Sequence, residues 1–164
     1  MKTRIGYGQV EPNHLSAQRN GQIYAQLPAA ASIEVLENGM FAKYDYAAKE
    51  VNFTGDGEWL LVYNEVKVYD TLRESTKDFA MKKENCVSGV MVPRLLATHV
   101  GDIFTTNMTS DWDSVTYEGG EYLTVTAGKL AKVGSKPETG MAWKVVKVYT
   151  MPDGQDGIKI QRIQ

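Results

Sequence analysis

Hydrophobic and polar positions alternate in short runs along most of this chain, and the runs are punctuated by turn residues. Ile33 and Val35, then Met40, Ala42 and Tyr44, flank Asn38-Gly39, a strong two-residue turn signal. Val51 and Phe53 alternate up to Thr54-Gly55-Asp56-Gly57, where a second turn is expected. The stretch from Trp59 to Tyr69 is rich in β-formers, with Leu60, Val62, Val66 and Val68 on even positions. Residues 70–86 change character: Ser75-Thr76-Lys77-Asp78 resembles a capping box, and Leu72, Phe79 and Ala80 allow one short helix. Pro93 marks a boundary. Beyond it, Val100, Ile103 and Phe104 precede a polar loop from Asn107 to Ser114. Strands are predicted over Tyr122 to Val125, Leu130 to Val133 and Ala142 to Met151. A turn over 152–157 and the alternating Ile158 and Ile160 close the chain. Short strands separated by Gly, Asp and Asn turns predict an all-β (β-dominant) fold of sandwich or small-barrel type. The boundaries expected are an extended N-terminal arm over 1–33, a first β module over 34–92 and a second over 93–164.

One short segment occurs twice. Glu65-Val66-Lys67-Val68-Tyr69 returns 80 residues later as Val145-Val146-Lys147-Val148-Tyr149. Each copy follows a similar start, Glu37-Asn38-Gly39-Met40-Phe41 or Glu118-Gly119-Gly120-Glu121-Tyr122, and Ala47-Ala48-Lys49 corresponds to Ala127-Gly128-Lys129. Two copies at so long a period point to a duplicated β module rather than a solenoid, which needs three or more units. The alternative is coincidence among common strand residues. If the duplication holds, Val66 and Val68 should occupy strands equivalent to those of Val146 and Val148.

The first 32 residues differ from the rest. They are rich in Gln, Asn, Gly and Ala, are broken by Pro12 and Pro28, and carry scattered apolar residues. Such a segment cannot bury enough apolar surface to fold alone. Ile5, Tyr7, Ile23, Tyr24 and Leu27 are nevertheless more apolar than a solvated linker requires, so they are candidate partner contacts. An arm that orders on another molecule is one reading, and a tail lying on its own domain is the other. The first reading predicts that deleting residues 1–32 leaves the β modules folded.

Composition narrows the classes. The 164 residues are 43% hydrophobic and carry a formal charge of −2, so a core is available and nothing general favours nucleic acid. No apolar run approaches the ~20 residues that span a bilayer, so no membrane association is expected. Met1-Lys2-Thr3-Arg4 leads into Gly, Gln, Glu and Pro rather than an apolar region. No secretory signal is therefore read, and synthesis in a cytoplasm is expected. The lone Cys86 cannot form an internal disulfide, which fits a reducing compartment. In that setting the glycosylation patterns at Asn52 and Asn107 are chance.

Candidate chemistry is sparse. The phosphate loop, dinucleotide fingerprint, zincin helix and nucleophile elbow are all missing, and Gly6-Tyr7-Gly8 is a lone GxG. Cys86 and His99 could form a thiolate–imidazole pair only if the fold brought them together; a structural cysteine is the simpler reading. Metal binding meets the same shortage of ligands. Asp153 and Asp156 lie among glycines as in a calcium loop but lack the closing glutamate, so a hairpin turn is favoured. In Asp111-Trp112-Asp113, a ring flanked by carboxylates could stack on a sugar, anchor a protein contact or fold back on its own domain. No catalytic residue, cofactor or metal ligand is therefore expected, and Trp112 joins the candidate partner contacts.

Four stretches carry a resemblance: Met1 to Gln9 (MKTRIGYGQ), Gly39 to Asp45 (GMFAKYD), Glu58 to Glu65 (EWLLVYNE) and Thr98 to Asn107 (THVGDIFTTN). Together they resemble small virion structural proteins of tailed bacteriophages of Gram-positive hosts, candidates for capsid decoration or cement. The resemblance implies a non-enzymatic protein that binds the outside of the capsid and stabilises it. It also implies the major capsid protein as partner, a homo-oligomer or symmetric copies at capsid sites, and a place in the virion. It supplies no catalytic residues. A head–tail connector, a tail component and a carbohydrate-binding β module are the alternatives, a glycan being the least favoured partner.

Overall fold

The computed structural model describes residues 8–12, 21–64, 81–83, 86–152 and 154–164. Among them the fold is all-β, with no α-helix and a 3-10 turn at Val87–Gly89. Twelve strands form: β1 (Val10–Glu11), β2 (Val35–Leu36), β3 (Phe41–Asp45), β4 (Glu50–Asn52), β5 (Leu60–Val62), β6 (Met81–Lys82), β7 (Leu95–Leu96), β8 (Ile103–Thr106), β9 (Tyr122–Thr126), β10 (Lys129–Val133), β11 (Ala142–Thr150) and β12 (Asp156–Arg162). They assemble into a six-stranded antiparallel sheet of order β1-β8-β12-β11-β9-β10, a four-stranded sheet of order β4-β3-β5-β7, and the small pair β2-β6. Neither large sheet closes into a barrel.

The two sheets share one core. Phe41, Leu61 and Leu96 from the four-stranded sheet pack with Phe104, Leu123, Leu130, Trp143, Val145, Ile158 and Ile160 from the six-stranded sheet. Trp143 is the junction: its ring lies 5.9 Å from Phe41 and 5.1 Å, edge-on, from Phe104. Offset and edge contacts of this kind add to the simple area burial of such rings.

A second core lies on the other face of the four-stranded sheet. Ala42, Tyr44, Val51, Leu60, Val62 and Leu95 pack there against Ala30, Ile33 and Leu36. Side chains alternate across a strand, so Leu60-Leu61-Val62 feeds both cores and all three residues are buried. The cover is the segment that follows Gly21. Its amides also seal both sheet edges: Ala30 N–H donates to Val51 O and Val51 N–H to Pro28 O beside β4, and Ala97 N–H donates to Gln22 O beside β7. Unpaired edges invite strand addition by other chains, and this segment satisfies them internally. Ile23 packs against the shared core and Leu27 against the second. For these two side chains the contacts fit the reading of a segment lying on its own domain.

Asn38-Gly39 turns the chain as its composition predicts but joins no hairpin, because β2 pairs with β6 and β3 with β4 and β5. It is a corner between sheets. Asn38 Oδ1 accepts from Asn64 N–H and Asn38 Nδ2 donates to Asn64 O, a buried amide clamp. Gly39 has φ +92°, and a Cβ there would stand 2.5 Å from Thr106 Oγ1 and 2.7 Å from Met108 Cβ. Only glycine meets both demands.

The duplication is not shown. Glu65 to Tyr69 lies outside the described residues, as does the predicted helix near Ser75 to Asp78. The corresponding turns differ in length: Asp45 pairs with Glu50 across a four-residue loop, whereas Thr126 pairs with Lys129 across two residues.

Candidate interaction surfaces

Three features reach the surface with chemistry attached. The first is the outer face of the six-stranded sheet. Ile158 and Ile160 point into the core, so Lys159 and Gln161 face outward. Their partners across the ladder are Lys147 and Lys144. Ladder partners share a face, so Lys144, Lys147 and Lys159 cluster on adjacent central strands. The register shifts between Val145 and Lys147, a β-bulge at Val146. The extra residue explains why Val146 and Lys147 are both exposed while Val145 is 1% exposed. Lys147 and Lys159 stand directly opposite each other, an arrangement that like charges disfavour. Both ammonium groups lie over the Tyr149 ring, 4.7 and 5.4 Å from its centroid. Its hydroxyl donates to the Glu11 carboxylate and lies 3.0 Å from Thr105 Oγ1.

The second feature is a cleft of about 600 Å³ between the 113–116 loop and the β11–β12 hairpin, lined by Asp113, Ser114, Thr116, Tyr149, Thr150 and Asp156. Thr150 Oγ1 donates to Asp156 Oδ1 at 3.0 Å, and Met151 N–H to Gln155 O at 2.7 Å, so Asp156 opens β12 where the β11–β12 hairpin closes. Asp153 lies outside the described residues. No group of three or more His, Cys, Asp or Glu among the described residues could hold a metal ion.

The third is a cleft of about 240 Å³ on the far side of the four-stranded sheet, lined by Tyr24, Tyr44, Tyr46, Asp56, Glu58 and Leu60. Tyr44 forms its floor, 4% exposed, whereas Tyr24 and Tyr46 are 50% and 63% exposed. Burial raises the Tyr44 hydroxyl, which donates to Ala25 O. The Tyr24 hydroxyl donates to Glu58 Oε1 at 2.7 Å. That bond, then burial and the Glu58 charge, push Tyr24 up to about 12, so it remains a neutral donor at physiological pH.

The sequence candidates distribute unevenly over these features. Ile5 and Tyr7 lie outside the described residues. Ile23 and Leu27 are half-buried within the fold, and Tyr24 is the one of the three described candidates that reaches a surface cleft. Trp112 is 2% exposed and stacks on Tyr117 with ring centroids 6.0 Å apart, so it folds back on its own domain and offers no face to a sugar. Asp111 and Asp113 stay exposed. Cys86 packs against the second core, whereas His99 sits at the entry to β8 with Nδ1 3.9 Å from Asp102 Oδ2. The lysine cluster was missed. Its signal is present in the alternation Lys144, Lys147, Lys159 against buried Val145, Ile158 and Ile160, but assigning those lysines to one face requires the β11–β12 register.

No protein-family model, curated protein or solved structure matches the chain. No helix among the described residues is long and apolar enough to cross a membrane.

Proposed function

We propose that the chain is a non-enzymatic structural protein of a tailed-phage virion that binds the outside of the capsid and stabilises it. The observation that carries the reading is the Lys147–Lys159 pair on the open face of the large sheet. Like charges set opposite each other cost folding stability. A surface that tolerates this cost, on a rigid sheet with a large packed core behind it, is suited to an acidic partner surface. Residues that break local stability rules concentrate at functional sites. On a shell, many copies of one footprint add avidity wherever contacts reach neighbouring subunits. In this reading the major capsid protein presents the acidic complement, the copies are symmetrically related, and Ile5 and Tyr7 supply further apolar anchors. With a net charge of −2, the chain as a whole does not favour nucleic acid.

Mass spectrometry and imaging of purified particles test this. A copy number in the hundreds on the shell surface is expected, and charge reversal at Lys144, Lys147 and Lys159 should abolish attachment. A ring of a few copies would instead make it a connector or tail component, and absence from particles would sink the reading. The Asp113 cleft supports a second reading, a carbohydrate-binding module, because hydroxyls and carboxylates beside an aromatic residue suit a sugar. A glycan array with Asp113→Ala as control separates the two; Trp112→Ala would perturb the core instead.

A further inference from the structure

The geometry points to the cleft of Tyr24, Tyr44 and Tyr46 as a binding site for an alkylammonium group, the end of a lysine side chain presented by a partner protein. This goes beyond attachment through the lysine face and does not depend on it. The two surfaces share no residue: Tyr44 belongs to the second core, whereas Lys147 is exposed on the six-stranded sheet opposite Lys159.

Three aromatic rings converge on a cavity of about 240 Å³ whose floor is apolar, formed by Tyr44 and Leu60. The Tyr44 and Tyr46 rings lie 5.6 Å apart and are inclined by 32°, so the exposed Tyr46 ring stands as a tilted wall beside the Tyr44 floor. Ring faces attract cations, most strongly where water is excluded. Two carboxylates stand at the rim. Glu58 is held at both oxygens, by the Tyr24 hydroxyl at 2.7 Å and by Arg162 Nη2 at 3.7 Å. Asp56 has no hydrogen-bond or ion-pair partner among the described residues. The site thus has one open negative charge and one fixed in place. Lys43 does not fill it, because its ammonium is committed to the Trp59 ring at 4.7 Å.

The shape of the cleft selects among cations. A compact ammonium can meet several rings at once, whereas a planar guanidinium stacks on one and seeks a free carboxylate fork. Glu58 offers no such fork, since Tyr24 and Arg162 occupy it. An alkyl stem would lie on Leu60 and Tyr44 while the charge meets Tyr46 and Asp56, as amphipathic side chains generally divide themselves.

Titrating the full chain with Nα-acetyl-lysine methylamide, followed through the tyrosine ring resonances, tests the site. The Nε-acetylated analogue, equal in stem but uncharged, and the arginine counterpart serve as the other arms. Saturable shifts at Tyr24, Tyr44 and Tyr46 are expected with the lysine compound, weakening as salt rises. Tyr46→Leu keeps bulk but removes the π face, and it should weaken binding about tenfold. Asp56→Asn should weaken it severalfold. Tyr46 and Asp56 are exposed, so both variants should melt like the parent chain. The proposal fails if the acetylated analogue binds equally well, if the arginine compound binds more tightly, if Tyr46→Leu changes nothing, or if no saturable shift appears.

Discussion

The two large sheets are built from similar residues but meet different burial problems. In β12, Ile158 and Ile160 are 0% exposed while Lys159 and Gln161 between them face outward. That is the pattern of a sheet with one dry face and one wet face. In β5, Leu60, Leu61 and Val62 are all buried, and in β7 both Leu95 and Leu96 are. The four-stranded sheet is the middle layer of three, with the six-stranded sheet on one side and residues 22–36 on the other. A sheet with two dry faces cannot be a free-standing module. It needs a cover, and this chain takes that cover from its own N-terminal third.

The largest test removes the cover. Deleting residues 1–32 strips Ile23, Leu27 and Ala30 from the cores and unseals both edges of the small sheet. Unlike a tail whose loss leaves the modules folded, this truncation should abolish cooperative unfolding and promote aggregation through the exposed β4 and β7 edges. A truncated chain that melts sharply near the parent's temperature would show that the middle layer stands without its cover.

This contrast explains what could be read from the sequence. Four strands of the six-stranded sheet, β9 to β12, were legible, because one-sided burial leaves a period of two in Tyr122 to Val125 and Ile158 to Ile160; β11 keeps it only up to the bulge at Val146, and β1 lay in the segment read as an arm. The middle layer was legible as strands, but its burial on both faces was not. Continuous runs such as Leu60-Leu61-Val62 and Leu95-Leu96-Ala97 do signal two dry faces, yet nothing local says which segment supplies the second cover. Whether the arm covers its own domain or a partner was left open for a related reason. Ile23, Leu27 and Ala30 follow no single period, because they meet a sheet edge and two different cores in turn. Of the candidate surfaces, Tyr24 was singled out, but Tyr44, Tyr46 and Asp56 reach its cleft only through the β3 turn and the loop before β5.

Matched substitutions sharpen the comparison. Gly39→Ala, at φ +92° and with Thr106 and Met108 in the way, should cost about 3 kcal/mol or more from combined strain and overlap. Gly154→Ala, at φ +84° with nothing within 4 Å, should cost only the conformational part, about 1 kcal/mol. Likewise Val62→Ala, fully buried in the middle layer, should lose about 2 kcal/mol, while Val148→Ala, 41% exposed, should stay within about 0.5 kcal/mol. Equal costs within either pair, measured by urea unfolding, would contradict the layering.

On the open face the expected sign reverses. Lys147→Glu sets opposite charges across the ladder at Lys159 and should stabilise the isolated protein by about 0.5 kcal/mol. Under the attachment reading the same change weakens capsid binding. Gain in one assay with loss in the other is what a surface kept for binding predicts. A loss of stability would mean that the contacts of Lys147 with Tyr149 outweigh the repulsion.

The smallest effect belongs to the edge of the same sheet, where Lys132 Nζ lies 2.5 Å from Glu121 Oε1. Burial alone would raise the Glu121 carboxyl. The ammonium of Lys132 and the amide of Glu118 outweigh that and hold it below its ordinary value of 4.5. A carboxyl depressed on folding contributes stability that is present above its unfolded pKa and is lost as pH falls through the folded one. The dependence therefore lies in the acid range below about 4.5. Both side chains are partly solvated, 35% and 23% exposed, so screening keeps the pair's worth near about 0.5 kcal/mol. Lys132→Met should leave the neutral-pH melt almost unmoved while the Glu121 carboxyl resonance titrates at a higher pH than in the parent. If that midpoint does not rise, the ion pair is absent in solution, and this sheet edge owes its order to the β9–β10 ladder and the bridge from Thr109 to Leu130.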